Sequence, residues 1–152
     1  MFTFENSIMI ARPIDEVFAF IIDLSNIPKW NYYVLSVSPT SSKHISMGST
    51  YHQVRKDDEQ DLRISQLEPN QSLVVETIPP SKPELRREIV FEDQAGSTKI
   101  IDKWQLEMGV PRLLESLAAN RAKSGVHENL EKLKVLLETG TVTLQDGRSF
   151  SL

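Results

Sequence analysis

Hydrophobic and polar side chains alternate from the start of the chain. Phe2, Phe4, Ile8 and Ile10 share one face, Thr3, Glu5 and Ser7 the other, and Asn6 interrupts the apolar face. A period of two predicts a half-buried strand. The pattern then shifts to helical spacing. Pro13 suits a first helical turn, Asp15 and Glu16 suit the positive end of a helix, and Val17, Phe18, Ile21 and Ile22 form an apolar stripe. Ser25 and Pro28 predict a break, followed by a short second helix carrying Ile27 to Trp30.

The middle of the chain returns to extended patterns. Segments 33–38, 49–56, 61–67, 72–78, 84–92 and 98–108 each read as strands. Turn-forming residues separate them: Pro39 with Ser41, the polar run 56–60, Pro69-Asn70, Pro79-Pro80 with Pro83, and Ala95-Gly96-Ser97. Short links between consecutive strands predict an antiparallel meander. From Val110 the spacing changes again. Leu113, Leu114, Leu117, Ala118, Ala122, Val126, Leu130, Leu133 and Leu137 recur every three or four residues and predict one long amphipathic helix closing near Gly140. Pro111 is placed to open it, Glu128 and Lys132 to pair across one turn, and Gly125 to mark a kink or a close approach of backbones. Residues 141–152, with Asp146-Gly147 at their centre, predict a small hairpin or a tail that orders against a partner.

The predicted class is therefore α+β: a seven-stranded curved antiparallel sheet wrapped around a long C-terminal helix, with two short helices after the first strand. Residues 1–140 are expected to form one ligand-binding domain, with 141–152 appended. A sheet of that size needs its apolar face covered, and the C-terminal helix is the element long enough to cover it.

The chain resembles the SRPBCC superfamily of START-like, helix-grip domains, which includes polyketide cyclases/dehydrases and the birch-pollen-allergen type. The residues that carry the resemblance are Arg12-Pro13-Ile14-Asp15, Asn26-Ile27-Pro28-Lys29-Trp30, Met47-Gly48-Ser49, Glu68-Pro69-Asn70-Gln71-Ser72, Gly96-Ser97-Thr98 and Asn129-Leu130-Glu131-Lys132. The resemblance implies an internal cavity between the sheet and the C-terminal helix. It does not choose among activities, because the superfamily holds binders, cyclases, hydrolases and lipid carriers.

Composition narrows the chemistry. The 152 residues carry 17 Lys and Arg against 21 Asp and Glu, a net charge of −4, which gives no concentrated basic surface for nucleic acid. With no cysteine, thiolate chemistry and Cys-based metal sites are excluded. His44, His52 and His127 show no metal-ligand spacing, and no metal or cofactor is expected. The carboxylate runs Asp57-Asp58-Glu59 and Glu92-Asp93 read as solvated turns. The N-terminus lacks the pattern of a signal peptide and no segment approaches a membrane span, so a cytoplasmic location is expected.

The candidate chemistry lies on the last two long strands. Leu85, Arg87, Ile89 and Phe91 share one face, as do Thr98, Ile100, Asp102, Trp104, Leu106 and Met108. A plausible register sets Arg87 opposite Asp102. Three readings stay open: a core ion pair, an anchor for a ligand oxygen, or a slipped register that exposes both. On the third strand Tyr51 and Gln53 add hydrogen-bonding groups. The expected ligand-contacting set is Trp30, Tyr51, Gln53, Arg87, Ile89, Asp102, Trp104 and Leu117. The leading expectation is binding of a small hydrophobic or aromatic molecule. The alternatives are a polyketide cyclase/dehydratase-like enzyme, with Asp102 or Tyr51 moving protons and Arg87 stabilising an oxyanion, and a partner-binding or lipid/quinone carrier. Self-association as a homodimer stays open.

Overall fold

A computed structural model describes residues 1–152. The chain runs β1 (Phe2–Ile10), α1 (Ile14–Ile22), a 3₁₀ helix (Leu24–Lys29), β2 (Val34–Pro39), β3 (Thr50–Arg55), β4 (Glu59–Glu68), β5 (Ser72–Thr77), β6 (Glu84–Gln94), β7 (Ser97–Glu107), a 3₁₀ turn (Arg112–Leu114), α2 (Glu115–Thr139), β8 (Thr141–Thr143) and β9 (Ser149–Ser151). The first seven strands form one antiparallel sheet in the order β1-β7-β6-β5-β4-β3-β2. This is the helix-grip arrangement. No helix is long and apolar enough to cross a membrane.

Local chemistry explains most boundaries. Asp15 and Glu16 occupy the first turn of α1, and its buried stripe is Val17, Phe18 and Ile21. Ser25 and Pro28 do not break the chain as expected; both lie within the 3₁₀ helix, whose first turn Asp23 caps by accepting from the Ser25 amide. The β6–β7 turn has only two residues, Ala95 (φ 55°) and Gly96 (φ 94°), a pair of left-handed conformations typical of tight hairpins. A register shift near Ser65 in β4 moves the inward phase from Gln60, Leu62 and Ile64 to Leu67, and such bulges bend a strand.

The core joins α1, the sheet and the C-terminal half of α2. Phe18 packs edge-on against Phe91 at 5.0 Å, and Val126, Leu130, Leu133 and Leu137 bury their side chains in the same cluster. Asn6, the polar interruption of β1, donates to the Lys123 carbonyl of α2. Arg12 donates to the Leu137 and Glu138 carbonyls, satisfying two of the free groups at the end of α2. Gly140 (φ 87°) then reverses the chain.

The first half of α2 departs from expectation. Pro111 precedes a 3₁₀ turn, and Leu113, Leu114 and Leu117 are exposed. The three- and four-residue spacing is present there, but only small residues such as Ala118 and Ala122 are half-buried, and the helix packs chiefly on β1. Gly125 marks no close approach of backbones: it lies within a continuous α2, and a Cβ there would meet open space. Lys132 donates to the Thr143 carbonyl rather than pairing with Glu128.

Candidate functional site

A cavity of about 90 Å³ opens between the sheet and the first helical segments. Its roof comes from Ile21, Leu24, Ile27 and Trp30, and its floor from β3 to β7. No residue of α2 lines it, which corrects the expected position between sheet and C-terminal helix. The reason is geometric. The apolar stripe in the second half of α2 is consumed in direct packing, whereas the 3₁₀ helix spans the sheet with a looser fit.

Arg87 and Asp102 meet inside the fold. Arg87 Nε donates to Asp102 Oδ1 at 2.8 Å and Nη2 to Oδ2 at 2.6 Å, a two-pronged pair in which Asp102 is fully buried. The register differs from that expected. Arg87 stands opposite Trp104 and Ile89 opposite Asp102, because the hairpin turn is two residues long. The long guanidinium reaches its carboxylate along the diagonal instead. Two indole rings lie against the cation, with ring centres 5.3 Å (Trp30) and 4.7 Å (Trp104) from its central carbon. Trp104 in turn stacks on Phe4 at 5.6 Å.

Arg87 lines the cavity and Asp102 does not. The Nη1 group of Arg87 has no protein partner. The buried Nε1–H of Trp104, also on the cavity wall, has none either. Gln53 donates to Gln60, which donates to the Lys82 carbonyl, and both glutamines line the cavity. That chain leaves Gln53 Oε1 without a protein partner. A small space with apolar walls therefore offers one free donor, Arg87 Nη1, and one acceptor, Gln53 Oε1, while the Trp104 Nε1–H is closed off.

Of the eight residues expected at the site, Trp30, Gln53, Arg87, Ile89 and Trp104 line the cavity. Tyr51 belongs to the core cluster instead, and burial raises its hydroxyl pKa, with the Asp23 carboxylate acting in the same direction. Asp102 stands behind Arg87. Leu117 lies on the exposed part of α2, far from any lining role. Sequence reasoning missed Leu24 and Gln60. Gln60 was hidden in a run read as a solvated turn, though strand β4 already begins at Glu59. Tyr33 stands at the half-buried mouth with Asn31, Arg55, Pro83 and Leu85. Its hydroxyl donates to Asp57, and that bond raises its pKa.

His52 points outward between Asp61 and Glu59, and its pKa is raised by hydrogen bonds to both. No three His, Cys, Asp or Glu side chains converge in a way that would hold a metal ion.

A family model described as polyketide cyclase/dehydrase and lipid transport matches residues 1–138. No curated protein matches the chain. Solved structures do. A START superfamily protein from Mycobacterium smegmatis is 10% identical, with a TM-score of 0.72 over 89% of this chain and 98% of its own. A protein from Staphylococcus saprophyticus is 20% identical, with a TM-score of 0.68 over 95% of this chain and 96% of its own. The di-domain ARO/CYC protein BexL, from the BE-7585A biosynthetic pathway, is 14% identical, with a TM-score of 0.71 over 93% of this chain and 49% of BexL. At these identities the likeness is one of fold.

Proposed function

The chain belongs to the polyketide cyclase/dehydrase and lipid transport family, and from that premise we propose that it binds a small, neutral, mostly apolar molecule through one ligand oxygen. One observation carries this reading: a cavity-lining arginine is held rigid by Asp102, Trp30 and Trp104 while its Nη1 group stays unbonded. A donor fixed in advance loses little further freedom when a ligand arrives. Charge selects the kind of oxygen. Asp102 already neutralises the guanidinium, so a carboxylate ligand would bury an uncompensated negative charge. A carbonyl or phenol oxygen meets the same donor without that cost.

Size restricts the ligand further. The cavity measures about 90 Å³, against roughly 150 Å³ for an engineered cavity that holds benzene. A single ring therefore fits only with some movement of the walls, and a long lipid or quinone chain fits less well. A cyclase/dehydratase-like reaction is the second reading, favoured by the ARO/CYC neighbours. It needs a proton-transfer group at the cavity. Asp102 and Tyr51 do not line it, which leaves Tyr33, engaged by Asp57. Binding is the better-supported function.

Native mass spectrometry of the purified protein would reveal a co-purifying small molecule. Titration of the tryptophan fluorescence with phenol and with benzoate then tests the anchor. Phenol should bind and benzoate should not. Arg87→Met should weaken phenol by roughly 10- to 100-fold, the worth of a hydrogen bond to a charged group. Equal binding of phenol by wild type and Arg87→Met would remove Arg87 from the site.

A further inference from the structure

We infer that Arg148 and Asp146, on the C-terminal hairpin β8–β9, are positioning residues that set access to the cavity by fastening its lip. The lip is built from two neighbouring stretches. Asn31 and Tyr33 line the mouth from one stretch and Arg55, whose guanidinium lies 5.5 Å from the Tyr33 ring centre, from the other. The hairpin grips the residues interleaved with them. Arg148 Nη2 donates to the Tyr32 carbonyl at 2.8 Å, and Asp146 Oδ2 lies 3.1 Å from Lys56 Nζ. Arg148 Nε donates to the same Asp146 oxygen at 2.9 Å, so one carboxylate ties both grips together. The Lys56 ammonium also sits 4.9 Å from the Tyr32 ring centre, and the Lys56 amide donates to the Tyr33 carbonyl. Holding Tyr32 and Lys56 therefore holds the cavity-lining residues on either side of them.

The hairpin has a firm base from which to pull. Val142 and Leu144 are buried against Leu136 of α2, with Phe20, Tyr32 and Phe150 packed around them. Lys132 ties the Thr143 carbonyl to α2 on the side away from the lip. The hairpin itself, Thr141 to Ser151, lies beyond residue 138, where the family match ends. An element outside the matched region thus fastens the mouth of the cavity that the matched region forms. Because the cavity is smaller than a ring-sized ligand requires, the lip has to move for such a ligand to enter, and the hairpin opposes that movement.

The test needs no ligand. Of the two tryptophans of the chain, Trp104 is half-buried and Trp30 lines the cavity at 2% exposure, so acrylamide quenching of Trp30 in a Trp104→Phe background reports access to it. Arg148→Ala and Asp146→Asn should each raise the quenching constant by about twofold through local opening, measured at a temperature where every variant is fully folded. Lys132→Ala loosens the hairpin on its far side and should quench as wild type does. Unchanged quenching in both lip variants would overturn the inference, and so would an equal rise in Lys132→Ala. The inference rests on the cavity and not on its occupant, so failure to find a ligand leaves this result standing on its own.

Discussion

Arg87 concentrates the physical argument at the scale of single residues. A guanidinium that is 8% exposed is tolerable only because Asp102, at 0%, receives two of its donors. Removing the cation alone strands a buried carboxylate. Arg87→Ala should therefore lower unfolding stability by about 3–5 kcal/mol, whereas an apolar pair, Arg87→Met with Asp102→Leu, should recover most of that loss. Urea unfolding of the two variants decides the matter: equal losses would mean that the carboxylate finds water or another donor. The pairing itself was legible in the alternation along β6 and β7, which put both side chains on the inward face. The register was not. The two-residue Ala95-Gly96 turn sets Gln94 against Ser97 and hence Arg87 against Trp104, two positions beyond the expected Asp102.

Among the elements, the C-terminal hairpin has the clearest pH signature. Burial works to raise the pKa of Asp146, but hydrogen bonds from Lys56, the Arg148 amide and the Arg148 side chain outweigh it and hold the group at about 2, below its ordinary 3.8. A depressed carboxylate pKa stabilises the fold above the unfolded value and loses that contribution as pH falls through the folded one. The stability difference between wild type and Asp146→Asn should thus be constant from neutral pH to about 3.8 and shrink between about 3.8 and about 2. Thermal melts across that range would show it, and a difference that shrinks near pH 6 would assign the effect to another group. The hairpin was foreseen from Asp146-Gly147, but its partner was not, since Tyr32 lies 116 residues away from Arg148 in sequence.

The whole molecule decides where the empty space goes. A long helix over a curved sheet suggests a cavity between them, yet here the sheet's free volume lies under the 3₁₀ helix. Ile89→Phe should fill that space and abolish phenol binding at a cost of about 1–3 kcal/mol in stability. Leu117→Glu should leave binding as it is, because Leu117 is 51% exposed and outside the cavity. Parallel fluorescence titrations separate the two; loss of binding in Leu117→Glu would return the site to the long helix.

Elements, the meander and inward faces followed from the sequence alone, because periods of two and of three to four residues are local properties that burial imposes on any chain; the pairing of β1 with β7 did not. The inward-facing Arg87 and Asp102 were legible for the same reason. The cavity's position, the diagonal ion pair, the retreat of Tyr51 and Leu117 from the site, and the grip of Arg148 on Tyr32 were decided only in the tertiary structure. Each depends on distances between segments far apart in sequence, set by turn length, by the bulge in β4 and by which half of α2 finds a surface to cover. Local patterning says which side of an element is buried; packing alone says against what.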